Sequence, residues 1–387
     1  MSGFSVKPAA LTSFANLLCP AVAGGSSDSA GQGLDYEFVF TAGDYSDQWV
    51  KLPGGAGGLI FNLIVGATDQ LAAQLDADYS TISQLLTASA NGLSASATTY
   101  RGQDHASAQR VDAAYKPAGV TPLTDVVDVS SPAVDPASFL TEPSDDGAVP
   151  DFAQQVLDGV GYFSETELVL KILALCGVNL EDWVKARLAG DFKTVAKCRN
   201  AVINLGKFEN AAATTIAEGT STLMKSWQGS AAGAAQSYFD QFADALGEHA
   251  NTLSSIAQKL EAVVVAIQQA GSAIMGGITA VLDAALEAAL SAAAAAATEE
   301  IPGLDVLTDI IGAWKVTEVI NKIHELGTIW GYVWTGLQGS MAAIVTTIGL
   351  LQNYSSTMTL PSTGYANAAL GQQPDSDKVT TGRPGAQ

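Results

Sequence analysis

Two long apolar stripes of helical period, joined by a corner of three residues, constrain this chain most. Val195, Cys198, Val202, Leu205, Phe208, Ala212, Ile216, Leu223 and Trp227 recur by threes and fours. Beyond the Gly229-Ser230 turn, Tyr238, Phe242, Leu246, Leu253, Ile256, Leu260, Val264 and Ile267 do the same. Such spacing gathers apolar side chains on one face of a helix. The intervals approach a heptad, so the two helices are expected to pack antiparallel at a shallow crossing angle. At the corner, Trp227-Gln228-Gly229 makes physical sense. Gly229 permits a tight or left-handed conformation that a side chain would oppose, and Ser230 is placed to cap the new helix. Trp227 is left near the tip, to cover the bundle end or to offer a partner a large amphipathic surface.

A third stripe lies upstream. Ile60, Ile64, Ala67, Leu71, Leu75, Tyr79, Ile82 and Leu86 form one helical face, which weakens at Asn91-Gly92, resumes through Leu93 to Tyr100 and ends near Tyr115. Near the N-terminus, Leu11, Phe14 and Leu18 keep helical spacing, with Pro8 suited to a first turn. Ala21-Val22-Ala23 has the look of a signal-peptide cleavage site. Lys7 is the only early cation, however, and Thr12, Ser13 and Asn16 interrupt the run, which favours an amphipathic helix. Between these helices Tyr36, Phe38 and Phe40 alternate with Glu37, Val39 and Thr41, before a Gly43-Asp44 turn signal and Trp49-Val50. A small β-hairpin is expected near 34–52. The fold class expected is therefore all-α, an elongated helical bundle of antiparallel hairpins with that one excursion.

The stripes divide the chain. Residues 1–116 read as an N-terminal helical hairpin. Six of the 13 prolines fall between 117 and 150 among Asp125, Asp128, Asp135, Glu142, Asp145 and Asp146, so 117–151 reads as an acidic, extended linker. Residues 152–270 hold the central hairpin, opened by a Ser164–Glu167 capping box. Residues 271–354 form an Ala/Gly-rich apolar helical region broken at Ile301-Pro302-Gly303. The tail, 355–387, has the composition of a disordered segment.

Charge and reactive residues exclude several function classes. Lys plus Arg number 18 against 39 Asp plus Glu, a formal charge of -21, which argues against nucleic acid as a partner. Cys19, Cys176 and Cys198 lack metal-ligand spacing. They read as buried thiols, with a Cys176–Cys198 bridge as the alternative in an oxidising space. His105, His249 and His324 have no nearby Cys or repeated carboxylate pattern and read as surface or satisfied histidines. The run Gly54-Gly55-Ala56-Gly57-Gly58 has no following Lys and is not a phosphate loop. No catalytic, cofactor or metal residues emerge.

Ser226-Trp227-Gln228-Gly229-Ser230-Ala231-Ala232, followed by Ala235 and Tyr238-Phe239, resembles the turn of the WXG-type (ESAT-six-like) superfamily of type VII (ESX) secretion substrates. Asp182-Trp183, Gly190-Asp191-Phe192, Ala201-Val202 and Leu205 resemble the region before that turn in long actinobacterial members. The likeness spans roughly 152–300 and weakens over 1–116. In that family Tyr-x-x-x-Asp or Glu serves as the export signal, and Tyr100 with Asp104 matches it, one helical turn apart. The order resembles the single-chain Esp-type proteins, in which a hairpin with the Tyr signal is fused to one with the Trp turn. The resemblance implies a secreted or cell-envelope protein, virulence-associated, exported folded, with Tyr100, Asp104, Trp227 and Gly229 as its recognition residues. Its implied partners are a type VII secretion chaperone and the ATPase machinery, together with self-association. It also implies that Tyr100 and Trp227 meet at one end of the bundle. The 23–57 excursion departs from the compact family pattern, and no toxin domain follows the helices.

A membrane-active effector is the rival reading. Leu326–Leu351 is 26 uncharged residues, long enough to span a bilayer, and Ala262–Leu282 is also uncharged but carries Gln268-Gln269. Gly327, Gly331, Gly336, Gly339 and Gly349 suit close helix packing in either medium.

Overall fold

The computed structural model describes residues 5–22, 33–54, 57–114, 134–146, 167–296 and 305–357. It is all-α, apart from one pair of two-residue strands. The helices are α1 (Pro8–Leu18), α2 (Leu34–Tyr36), α3 (Gly43–Trp49), α4 (Leu59–Ala114), α5 (Glu167–Leu175), α6 (Leu180–Leu188), α7 (Phe192–Met224), α8 (Ser230–Ala296) and α9 (Asp305–Thr357). The strands are β1 (Ser5–Val6) and β2 (Trp227–Gln228).

Every residue of the three long stripes is buried, which is why these segments are helices. Propensity alone would not hold helices of this length, whereas a shared apolar face does. Helix α4 runs unbroken through Asn91-Gly92, because Ala90 and Leu93 on either side are fully buried. Helices α7 and α8 are antiparallel. A Cβ on Gly206 would lie 3.3 Å from the Ala250 carbonyl oxygen, and Arg199 pairs with Glu261 further along. Helix α1 lies against α4 and α7, and Gly219 leaves space for the Phe14 ring, which a Cβ would meet at 2.4 Å. The core of this four-helix unit is aromatic: Phe38 stands 4.9 Å from Phe208, and Phe14 stands 4.9 Å from Phe239.

Helix α8, at 67 residues, is about 100 Å long and continues past the start of α7. Its far half is accompanied by α9, which returns antiparallel. Lys315 bridges to Glu287, and Leu326 and Ile329 sit over Gly277. Helix α9 also reaches α4.

Two expectations change. The hairpin near 34–52 is helical instead: α2, a π turn over Glu37–Ala42, then α3. Alternation suggested two faces, but among the described residues no strand pairs with this segment. Phe38 alone is driven inward, between Tyr79 and Phe208, while Tyr36 and Phe40 are exposed. Secondly, part of the acidic linker is seated rather than free. Residues 134–146, with a short 3₁₀ turn at Pro136–Phe139, lie along α7 as a strap. The cysteines are free thiols, as the first of the two readings had it, with Cys19 and Cys198 buried and Cys176 partly so; the alternative Cys176–Cys198 bridge is absent. Cys198 is buried and donates to the Val50 carbonyl at 3.3 Å. The Ser164 cap, the Ile301-Pro302-Gly303 break and the tail beyond Thr357 lie outside the described residues.

Candidate recognition site at the bundle tip

The corner after α7 is built by local hydrogen bonds. The Lys225 and Ser226 amides donate to the Thr222 and Leu223 carbonyls at 3.2 and 2.9 Å, closing the helix. Trp227 and Gln228 then extend as β2. Gly229 has φ 126°, in the left-handed half of the map where a Cβ is opposed. Its carbonyl accepts from the Gly233 amide at 3.0 Å, so Gly229 itself precedes α8. Ser230 is the first residue of α8 rather than its cap.

No residue pattern marks what covers this corner. Ser5 pairs with Gln228 and Val6 with Trp227 in an antiparallel ladder, and the Lys7 amide donates to the Ser226 carbonyl at 2.9 Å. A two-residue strand carries too little pattern to be read, and Val6 is its only apolar residue. The consequence is large. Trp227 is 1% exposed and Tyr100 is 4% exposed. Their rings meet edge to face, with centroids 6.4 Å apart at 71°. Burial raises the Tyr100 hydroxyl pKa, and hydrogen bonding with Trp227 partly opposes that rise.

The tip therefore gathers three segments: β1, α4 at Tyr100, and the Trp227–Gly229 corner. Arg101, exposed, ties α4 to α1 by donating to the Thr12 hydroxyl at 3.0 Å. Asp104 follows Tyr100 by one turn in α4, but its side chain lies outside the described residues. Of the four expected recognition residues, the fold brings Tyr100, Trp227 and Gly229 to one corner. One expectation is corrected here: the Trp227 ring is a packing element of the tip, not an exposed surface. What the tip presents outward includes Gln228 and Gly229.

A second polar centre sits deep between α4, α7 and α8. His249 is held at Nδ1 by Glu209 at 2.7 Å and at Nε2 by Asp78 at 3.2 Å. Tyr79 donates its hydroxyl to Glu209 at 2.9 Å, and Gln74 donates to the other Asp78 oxygen at 2.9 Å. His249, Glu209, Asp78 and Tyr79 are each at most 1% exposed. Burial opposes the charged imidazole, but Glu209 and Asp78 outweigh it and push its pKa up to about 10. The Tyr79 hydroxyl is raised well above its ordinary range, first by burial and then by Glu209. His249 is thus a satisfied core histidine, as expected. Its partners went unnoticed, although an acid beside Phe208 and another beside Tyr79, each at core positions, were the available signal.

Among the described residues, no group of three His, Cys, Asp or Glu side chains has an arrangement suited to a metal ion. Compared with family models, curated proteins and solved structures, the chain matches none.

Proposed function

We propose that this chain is a non-enzymatic substrate of a type VII secretion system, exported folded to the cell envelope or beyond as a structural, scaffolding or secretion-associated protein. The observation that carries this reading is the contact of Tyr100 with Trp227, 127 positions apart in sequence, at one corner of the bundle. In the resembling family these residues belong to the two halves of an export address, and an address split between hairpins works only where the fold rejoins it. A chaperone and the ATPase machinery would read the outward surface around them. The deep polar centre is closed to substrates, which fits a protein without catalysis.

The test compares culture filtrate with cell pellet for the wild type and for Tyr100→Ala, Asp104→Ala and Trp227→Ala. Since Tyr100 and Trp227 are buried, each variant's melting is measured beside its export. The expected result is loss of export in Asp104→Ala with unchanged melting, and loss in the two aromatic variants. Unchanged export of Tyr100→Ala and Trp227→Ala sinks the bipartite address.

One observation favours a second reading, membrane insertion. Helix α9 carries an uncharged stretch, Leu326–Leu351, and an 18-residue apolar part of Trp314–Leu351 is only 28% buried, with Tyr332 78% exposed. Helix α8 is also long and apolar enough for this within Ala231–Ser291, but an 18-residue apolar part of it is 44% buried. Dye leakage from liposomes across pH 5 to 7.5 is expected on this reading, and the absence of both leakage and co-flotation removes it.

A further inference from the structure

The strap over 134–146 is fastened unevenly. Its second half is held by several direct hydrogen bonds and an ion pair. The Tyr45 hydroxyl and the Asn204 amide donate to the Thr141 carbonyl at 2.8 and 3.4 Å. Lys197 pairs with Glu142 at 3.0 Å, Asn200 donates to the Ser144 carbonyl at 2.8 Å, and Arg199 donates to the Asp146 carbonyl at 2.9 Å. The first half, 134–139, has its own 3₁₀ turn, with the Asp135 carboxylate accepting from the Ala137 amide at 3.0 Å. Between this half and α7 lies a groove of about 360 Å³ lined by Val134, Phe139, Lys207, Asn210, Thr214 and Glu218, among others.

Beside that half stands the π turn. An i→i+5 turn is uncommon and re-aims side chains by inserting a residue. Here it sends Phe38 into the core and leaves Glu37 half-buried, next to the strap. One oxygen of Glu37 and one of Asp35 are buried without a hydrogen-bond partner. The titratable groups on the surrounding elements are Asp35 in α2, Cys19 after α1, Asp44, Tyr45 and Asp47 in α3, Tyr79 in α4, Lys207 and Glu209 in α7, and Asp135 on the strap. Of the charges, Asp135 and Asp35 act on Glu37, and both oppose its ionisation.

We propose that Glu37 is a proton-operated catch. Protonated, it lets residues 134–139 close on α7; ionised, it confronts Asp35 and Asp135 as a third carboxylate and lifts that half of the strap, opening the groove beneath Val134 and Phe139. Supporting this, burial first, then Asp135 and Asp35, push the Glu37 pKa up to about 7. An acid whose pKa is raised in the closed state favours closure below its ordinary value of 4.5. That favour is lost progressively as pH climbs from there through about 7, and the loss is complete above it. The hinge falls near Leu140 and Thr141, where the direct fastenings to α3 and α7 begin.

Hydrogen–deuterium exchange of the full chain at pH 5, 6, 7 and 8, corrected for intrinsic chemical exchange, tests the catch. Protection of 134–140 is expected to fall by about ten-fold between pH 5 and 7.5 and then to level off. Segment 141–146 should hold its protection throughout. Glu37→Gln keeps the shape without the charge, and should hold 134–140 closed at every pH. Asp135→Asn retains a capping oxygen and should shrink the pH effect. The proposal is overturned by flat protection in the wild type, by the same pH dependence in Glu37→Gln, or by a Glu37 carboxyl carbon that titrates near 4.5 in NMR. This outcome is independent of whether the chain is exported.

Discussion

At the scale of single residues, the corner shows how one backbone angle fixes a larger arrangement. With φ at 126°, Gly229 turns the chain so that Trp227 faces inward while the next residue already belongs to α8. An L side chain in that region costs roughly 1–3 kcal/mol. Gly229→Ala is therefore expected to lower unfolding stability by about 2 kcal/mol in urea denaturation. It should also loosen the β1–β2 ladder, seen as faster amide exchange at Val6 and Lys7. No stability change would mean that the corner relaxes without strain. The sequence pointed to this glycine because its position between two stripes demanded a turn. It did not disclose the burial of Trp227, since the covering strand comes from residues more than two hundred positions away, with no periodic pattern to mark them.

Elements are tied together by the His249 network, which joins α4, α7 and α8 at one level through four side chains. A buried imidazolium between two carboxylates adds little net stability relative to apolar packing, but it penalises every other alignment of the three helices. Removing the cation leaves two carboxylates buried together. His249→Ala is thus expected to cost about 3–5 kcal/mol. The same network sets a pH dependence. His249 rises from 6.5 to about 10 in the folded chain, so its contribution is complete below pH 6.5 and is lost as pH climbs through about 10. Urea stability should fall by on the order of 3 kcal/mol between pH 6.5 and 10.5, and His249→Gln should lose most of that slope. An unaltered slope in the variant would assign the alkaline loss elsewhere. Helices of this kind were legible because thirty-residue stripes leave few alternatives. The π turn was not, because Tyr36, Phe38 and Phe40 alternate as a strand would, and only the pocket between Tyr79 and Phe208 decides which ring turns inward.

For the whole molecule, the sequence division at 270 corresponds to a change of neighbours rather than to a break in the chain. Helix α8 crosses it without interruption. Up to that point α8 shares α7, α1 and α4, with the end of α9 beside it at Thr347 and Leu350; the Arg199–Glu261 and Gly206–Ala250 pairings place the start of α7 level with residues near ~268. Beyond it, Ile274, Ile278, Val281 and Ala285 are buried chiefly by α9, with Lys315 and Leu326 on the facing side. Helix α9 buries one face, with Val319, Leu326, Leu337, Met341, Ile344, Ile348 and Leu351 on it, and stays apolar on the other, where Trp314 is 64% exposed and Tyr332 78%. The two long helices thus stabilise one another, while the four-helix unit with the tip rests on its own aromatic core. A chain ended at residue 304 should accordingly lose amide protection across 275–296, because an isolated helical arm of that length is marginal in water even when rich in alanine. The Tyr100–Trp227 contact and the His249 network should persist, with melting lowered because α9 no longer covers α4 and the flank of α8 near Glu248–Ser255. Equal loss along all of α8 would show instead that the molecule folds as one unit, and that α9 is needed to hold the tip together.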